Sequence, residues 1–295
     1  MSAGQQQQGR PRMAAAPASA AGPLLAVPPL LLLAATFFYP LALILHRSLA
    51  GAGGLSLAHY AVILGSALFR SALVNTVAIA AAASAGCLLL GLVLALLIAF
   101  VPFPGVRLLA RVIDTFIALP TFLVALSFTF IYGSAGLLNA SLMSVFHLGL
   151  PPLDFLYSRW GVILAEITVY TPFVLRPLLA SFSLIEAAQI EIASSLGAGA
   201  WRIIRQVILP AALPALLAGG SLCLLLTTNE FGIVLFIGAK GVTTLPLLIY
   251  DKAIQEFDYT AACVIAVVNV GLSLGLYSLY RFALARVGGA GAGLV

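Results

Sequence analysis

EIASSLGAGAWRIIRQVILP, residues 191–210, is a semi-polar interruption in a chain made mostly of long apolar runs. Just before and within it, Ile185, Ala188, Ile192 and Leu196 recur near helical spacing, which predicts a short amphipathic helix over Leu184–Leu196. Gly197 follows where a left-handed residue ends a helix, a conformation glycine reaches without a Cβ clash. Ala198 and Gly199 allow close backbone approach, and Trp201–Leu209 predicts a second helical run ended by Pro210. The expected product is a knob of helix, turn and helix with a small-residue tip.

Outside this stretch the composition is that of a membrane protein. Hydrophobic residues make up 62% of the 295 and charged residues 8%, against roughly 25% charged in a soluble domain. A spanning helix needs roughly 20 apolar residues to cross the hydrocarbon. Six segments qualify: Leu24–Leu45, about 73–100, about Val112–Tyr132, Gly161–Phe182, Leu213–Ile237 and Tyr259–Tyr280. The expected fold is therefore all-α, a polytopic membrane protein of six transmembrane helices. The first segment is 22 residues long, against the roughly 7–15 of a signal-peptide core, so it is read as an uncleaved anchor. Before it, Gln5–Gln8 and an Ala/Pro/Gly-rich run cannot bury enough surface to fold, which predicts a disordered tail over residues 1–22.

Lys and Arg placement sets the expected orientation. With the N-terminus inside, one side carries eight of them (Arg10, Arg12, Arg107, Arg111, Arg202, Arg205, Arg281, Arg286) and the other carries five (Arg47, Arg70, Arg159, Lys240, Lys252). That bias puts both termini and the 191–210 loop in the cytoplasm. The basic balance is thus a topology signal, and no basic patch with interleaved aromatics points to nucleic acid. Cys87, Cys223 and Cys263 lie in apolar runs without CxxC spacing, and His46, His59 and His147 are dispersed, so neither a disulfide framework nor a metal site is expected.

The 191–210 stretch resembles the cytoplasmic signature of the permease subunits of binding-protein-dependent ABC importers: Glu-Ala-Ala, three residues, Gly, nine residues, Ile, one residue, Leu-Pro. Glu191, Ala193, Gly197, Leu209 and Pro210 match, Ile192 replaces the middle Ala, and Val207 stands where Ile is usual. The nearby Glu186-Ala187-Ala188 is a decoy, because counting from Glu186 puts Ile192 at the Gly position and Arg205 at the Pro. The resemblance implies a type I ABC importer transmembrane domain whose knob docks in a cleft of an ATP-hydrolysing subunit, with Ala193, Leu196 and Gly197 packing there and Glu191 at the edge. No GxxxxGK[ST] phosphate loop occurs in the chain, so ATP and Mg are expected on a separate ATPase dimer rather than here. A periplasmic binding protein, a second permease subunit, the same or different, and the lipid bilayer of the bacterial inner membrane complete the implied partners.

Resemblance to the family covers about Ser71–Arg281 and implies four parts: the tail 1–22, an accessory first helix and periplasmic loop 23–70, a permease core 71–282, and a cytoplasmic tail 283–295. Three further strings, Ile113–Phe122, Ile131–Asn139 and Thr227–Gly241, look like those of permeases for 2-aminoethylphosphonate, and only that resemblance implies the substrate. Polyamine, sulfate, ferric iron and thiamine permeases are the alternatives within the family. A secondary transporter would also need buried charges in six or more spans, but it would predict inverted repeats. Catalysis in this chain is not expected, for want of GxSxG, HExxH or a histidine within a span.

Ionisable residues within spans are costly and mark candidate function. Glu230, beside Thr228 and Asn229 and read as deep in the fifth span, is expected either to line the translocation path and meet an ammonium group or to fix helix packing. Glu166 and Tyr170 are four apart and share a face of the fourth helix. Arg176 is expected to meet a passing phosphonate or to neutralise a neighbouring carboxylate, and Asp114 to pair with Arg111 or Arg107.

Overall fold

The computed structural model describes residues 21–51 and 54–289, so nearly all of the expected N-terminal tail and the last six residues of the C-terminal one lie outside the described residues. The chain divides into two compact units between His46 and Arg47. Helix α1 (Ala21–Leu33) runs through a π-helical segment, Ala34–Phe38, into α2 (Tyr39–Leu49). A short antiparallel pair, Ala50–Gly51 with Gly54–Leu55, leads to α3 (Ala58–Gly65). The long α4 (Ala67–Phe100) follows, its start capped by the Ser66 hydroxyl accepting from the Phe69 amide.

Next come α5 (Val106–Ala118), α6 (Thr121–Tyr132), α7 (Leu137–Phe146) and α8 (Arg159–Phe182). After these lie α9 (Ala187–Ser195), α10 (Ala200–Ile203), a second π-helical segment at Ile204–Ile208, and α11 (Leu209–Thr228). The chain closes with α12 (Gly232–Ile237), α13 (Leu245–Tyr250), a third π segment at Asp251–Gln255, and α14 (Tyr259–Gly289). Six helical stretches among the described residues are long and apolar enough to cross a membrane: Val27–Leu49, Ala67–Phe100, Thr121–Phe146, Arg159–Phe182, Ala200–Thr228 and Tyr259–Ala283.

Two of these differ from expectation. The third lies at 121–146 rather than 112–132, because Pro120 drives Leu119 into extended backbone and ends α5 there. The fifth begins at Ala200 and stops at Thr228, so Leu213–Ile237 is not one span.

Pro210 does not end the knob's second helix, as expected; α10 continues into α11 through the π segment. Both π segments of this kind stop two residues before a proline, Pro40 and Pro210. Proline offers no N–H to the carbonyl four residues back and crowds it, and a wider π turn relieves that conflict without breaking the helix.

In the second unit α4, α8 and α11 pack into the core. Lipid gives no hydrophobic drive for helix association, so close approach through small residues must supply it. Ala83, Cys87, Gly91 and Ala95 of α4 are buried, as are Gly219 and Cys223 of α11. A Cβ on Gly219 would lie 2.9 Å from Val174 Cα and 3.0 Å from the Phe173 carbonyl oxygen, so α8 and α11 touch backbone to backbone.

Candidate functional site

At one end of the core, where the rings of Phe100 of α4 and Phe182 of α8 meet at a tilt of 51° with centroids 5.3 Å apart, the chain leaves the bundle as a knob. α9 ends in a double hydrogen-bonded turn: the Ala198 amide donates to the Ala193 carbonyl at 3.0 Å and the Gly197 amide to the Ser194 carbonyl at 2.9 Å. That closure needs a left-handed residue, and Gly197 supplies it with φ +82°. Ile203 and Ile208 are buried beneath the knob and half-buried Ala193, Ala198 and Val207 pack against the same core. Outward, Ile192, Leu196 and Trp201 are 61%, 82% and 73% exposed, an apolar surface unlike that of a closed fold. Glu191, Gly197 and Pro210 are also exposed, whereas Ala193 and Leu209 are half-buried, turned partly inward.

Midway along the bundle, a polar cluster forms where α11 breaks. Side chains of its last turn compete for backbone: the Thr228 hydroxyl donates to the Leu224 carbonyl at 2.6 Å and the Asn229 amide to the Leu225 carbonyl at 2.8 Å. The helix stops, and Glu230 stands at the break rather than deep within a span. One oxygen of its carboxylate accepts from the Ile233 amide at 2.8 Å, capping α12, and the other accepts from the Tyr170 hydroxyl of α8. Thr228, Tyr170 and Glu230 are buried within this one chain, while Asn229 is exposed.

Glu166, one turn before Tyr170, is 1% exposed, and neither carboxylate oxygen has a hydrogen-bond partner among the described residues. It lies within electrostatic reach of Glu230, Cys87 and Cys223. A buried carboxyl without partners is unfavourable, which marks the position as one that packing alone does not explain. No cluster of three or more His, Cys, Asp or Glu that could hold a metal occurs among the described residues.

Several contributors escape a linear reading. Asn269 of α14 donates to the Asn229 side-chain oxygen at 2.9 Å, and the Asn229 amide also donates to the Ser273 hydroxyl at 3.2 Å. Asn269 and Ser273 are four apart on an apolar helix, the one signal that could have exposed them. Ser84 of α4 shares a hydrogen bond of 3.1 Å with Thr227.

Asp114 does not pair with Arg111 or Arg107; Arg176 forms an ion pair with it across the α5 and α8 contact. Within α5 the order Arg before Asp is the weaker arrangement for a same-helix pair, and Arg176 meets the carboxylate from a packed neighbour.

The end opposite the knob is tied by amides. Asn75, 2% exposed, donates to the Thr243 carbonyl at 3.0 Å and accepts from the Arg159 guanidinium at 2.6 Å, and the adjacent Thr76 hydroxyl accepts from the Leu245 amide at 2.8 Å. Asn139, fully buried, donates to the carbonyls of Gly133 and Leu153 and accepts from the Leu153 amide at 3.0 Å, pinning the loop that returns to α8.

Comparison with known proteins fits this architecture. Residues 88–288 match the family described as binding-protein-dependent transport system inner membrane component. A protein of Salmonella typhimurium, provisionally named as a 2-aminoethylphosphonate transport system permease protein, PhnU, is 63% identical over 258 residues, covering 87% of this chain and 90% of that one. A protein of Chlorokybus atmophyticus, named as a sulfate transport system permease, cysT, is 32% identical over 190 residues, 63% of this chain and 64% of that one. Among solved structures, a bacterial ABC transporter involved in import of the acidic polysaccharide alginate shares the fold with TM-score 0.78 at 18% identity, over 90% of this chain and 94% of its own. Knob, apolar spans and family match agree: the chain belongs to the binding-protein-dependent transport system inner membrane components, the permease subunits of ABC importers.

Proposed function

We propose that this chain is one permease subunit of an ATP-driven importer of 2-aminoethylphosphonate. The observation that carries the substrate is the 63% identity, over nearly the whole length of both chains, to a permease named for that compound. At half that identity, the sulfate-named relative supports the transport class and not its solute. The exposed apolar knob supports docking to a partner ATPase pair, which would bind the ATP and Mg, with Leu196 and Gly197 at the tip, Glu191 at the edge, half-buried Ala193 and Leu209 shaping it from beneath, and Pro210 exposed at its base. The Lys and Arg bias along the sequence, eight against five across the alternating sides of the spans, supports a cytoplasmic knob and cytoplasmic termini in the inner membrane. A binding protein then delivers solute at the opposite end, and a second permease subunit, identical or different, completes the pore.

Of the candidate path residues, Asn229 and Arg176 are accessible from outside the protomer, whereas Glu166, Tyr170, Thr228 and Glu230 act from behind its wall. The Tyr170 and Glu230 pair joins α8 to the α11 break, and closure of the ATPase pair bends the chain there to reorient the pore. Growth tests the reading: deletion of the gene should abolish growth on 2-aminoethylphosphonate as sole phosphorus source and leave growth on phosphate unchanged. Unimpaired growth on the phosphonate, with a defect on sulfate instead, would reassign the solute.

A further inference from the structure

We propose that Arg70 and Arg159 form an anion pocket that receives the phosphonate group of the solute as it enters the permease. They face a cavity of about 410 Å³ also lined by Ser71 and Asn75, at the end of α4 away from the knob. Arg159 is aimed, because its guanidinium donates at 2.6 Å to Asn75, which is itself buried and bound to the Thr243 carbonyl. Neither arginine has a carboxylate partner: among the described residues the ion pairs are Arg176 with Asp114 and Lys252 with Glu256. No Asp or Glu occurs in the undescribed stretches, so none is hidden there.

Each arginine also sits in the first turn of its helix, α4 from Ala67 and α8 from Arg159, where the helix dipole disfavours a cation. Two unpaired cations in unfavourable positions, converging on one cavity, are explained by an anion that both can reach. The guanidinium fork matches the oxygens of a phosphonate, and the Ser71 hydroxyl adds a further donor on the wall. This assignment rests on the substrate reading above, which puts the pocket on the side where solute arrives.

The test uses the assembled importer in nanodiscs without its binding protein, and ethylphosphonate as a probe that carries no amine. The wild type should broaden the phosphorus resonance of the probe, and joint replacement Arg70→Gln and Arg159→Gln should weaken binding at least tenfold, with Arg159→Lys weakening it less. In proteoliposomes with the binding protein, the double variant should lose at least four-fifths of 2-aminoethylphosphonate uptake while retaining its ATPase. Absent broadening by the wild type, or probe binding unchanged in the double variant, overturns the pocket. So does a double variant that binds the probe normally but loses affinity for the binding protein, since the arginines would then dock acidic side chains of that partner. If the wild type binds the probe through these arginines yet imports no 2-aminoethylphosphonate, the pocket stands and the substrate reading falls.

Discussion

The Tyr170 hydroxyl donates to the carboxylate of Glu230, tying the middle of α8 to the break between α11 and α12. Tyr170→Phe removes that donor and leaves a buried carboxylate oxygen unsatisfied. A loss of about 1–2 kcal/mol is expected, between the average for polar pairs in membrane bundles and the penalty for an orphaned buried group. A thermal unfolding scan of the variant in detergent checks it; an unchanged midpoint would mean the bond does not hold the junction.

Glu230→Gln keeps an oxygen for the Ile233 amide and a group that can meet Tyr170, so the fold should persist. Transport should fall at least threefold while the ATPase still co-purifies. Release of the ATPase instead would assign Glu230 to packing that supports the knob.

Gly219 and Gly275 give a paired comparison on two helices. Alanine at 219 puts a Cβ against the backbone of Phe173 and Val174, which cannot yield, and should destabilise by about 1–3 kcal/mol. Nothing lies within 4 Å of a Cβ at 275, so Gly275→Ala should be neutral or stabilise by up to about 1 kcal/mol. Equal effects at the two sites, read from unfolding midpoints, would contradict the close α8 and α11 contact.

At the knob, space is not the constraint on Gly197, since a Cβ there meets nothing within 4 Å; its φ of +82° is. A non-glycine residue should cost about 1–2 kcal/mol locally. Gly197→Asp adds both a Cβ and a charge at this left-handed docking tip and should abolish uptake in a protein that still reaches the membrane; normal uptake would remove the docking assignment.

Leu196, 82% exposed, makes the complementary case, because no fold contact depends on it. Leu196→Asp should leave stability within about 0.5 kcal/mol and reduce ATPase capture at least tenfold, measured by pull-down from co-expressing membranes. Retained capture would place the partner elsewhere.

The six-span plan was legible because each span is a long apolar run, and the tip because Gly197 sits at the helix-ending position of a local pattern. Errors came where one residue acts on the backbone in two ways. Pro120 ends a helix through Leu119, while Pro210 is absorbed by the π segment before it, and nothing in the local sequence distinguishes them. In sequence the polar residues up to Glu230 continue the fifth apolar run without a break, because the competition of Thr228 and Asn229 side chains for their own helix carbonyls appears only in three dimensions. Contacts such as Arg159 with Asn75, or Arg176 with Asp114, join helices remote in sequence and leave no periodic trace.

The most direct measurement is uptake of radiolabelled 2-aminoethylphosphonate by cells with and without this gene, each with and without ATP depletion. Uptake that requires both the gene and ATP is the predicted result. Uptake that persists without the gene, or that follows an ion gradient and ignores ATP, would contradict the account.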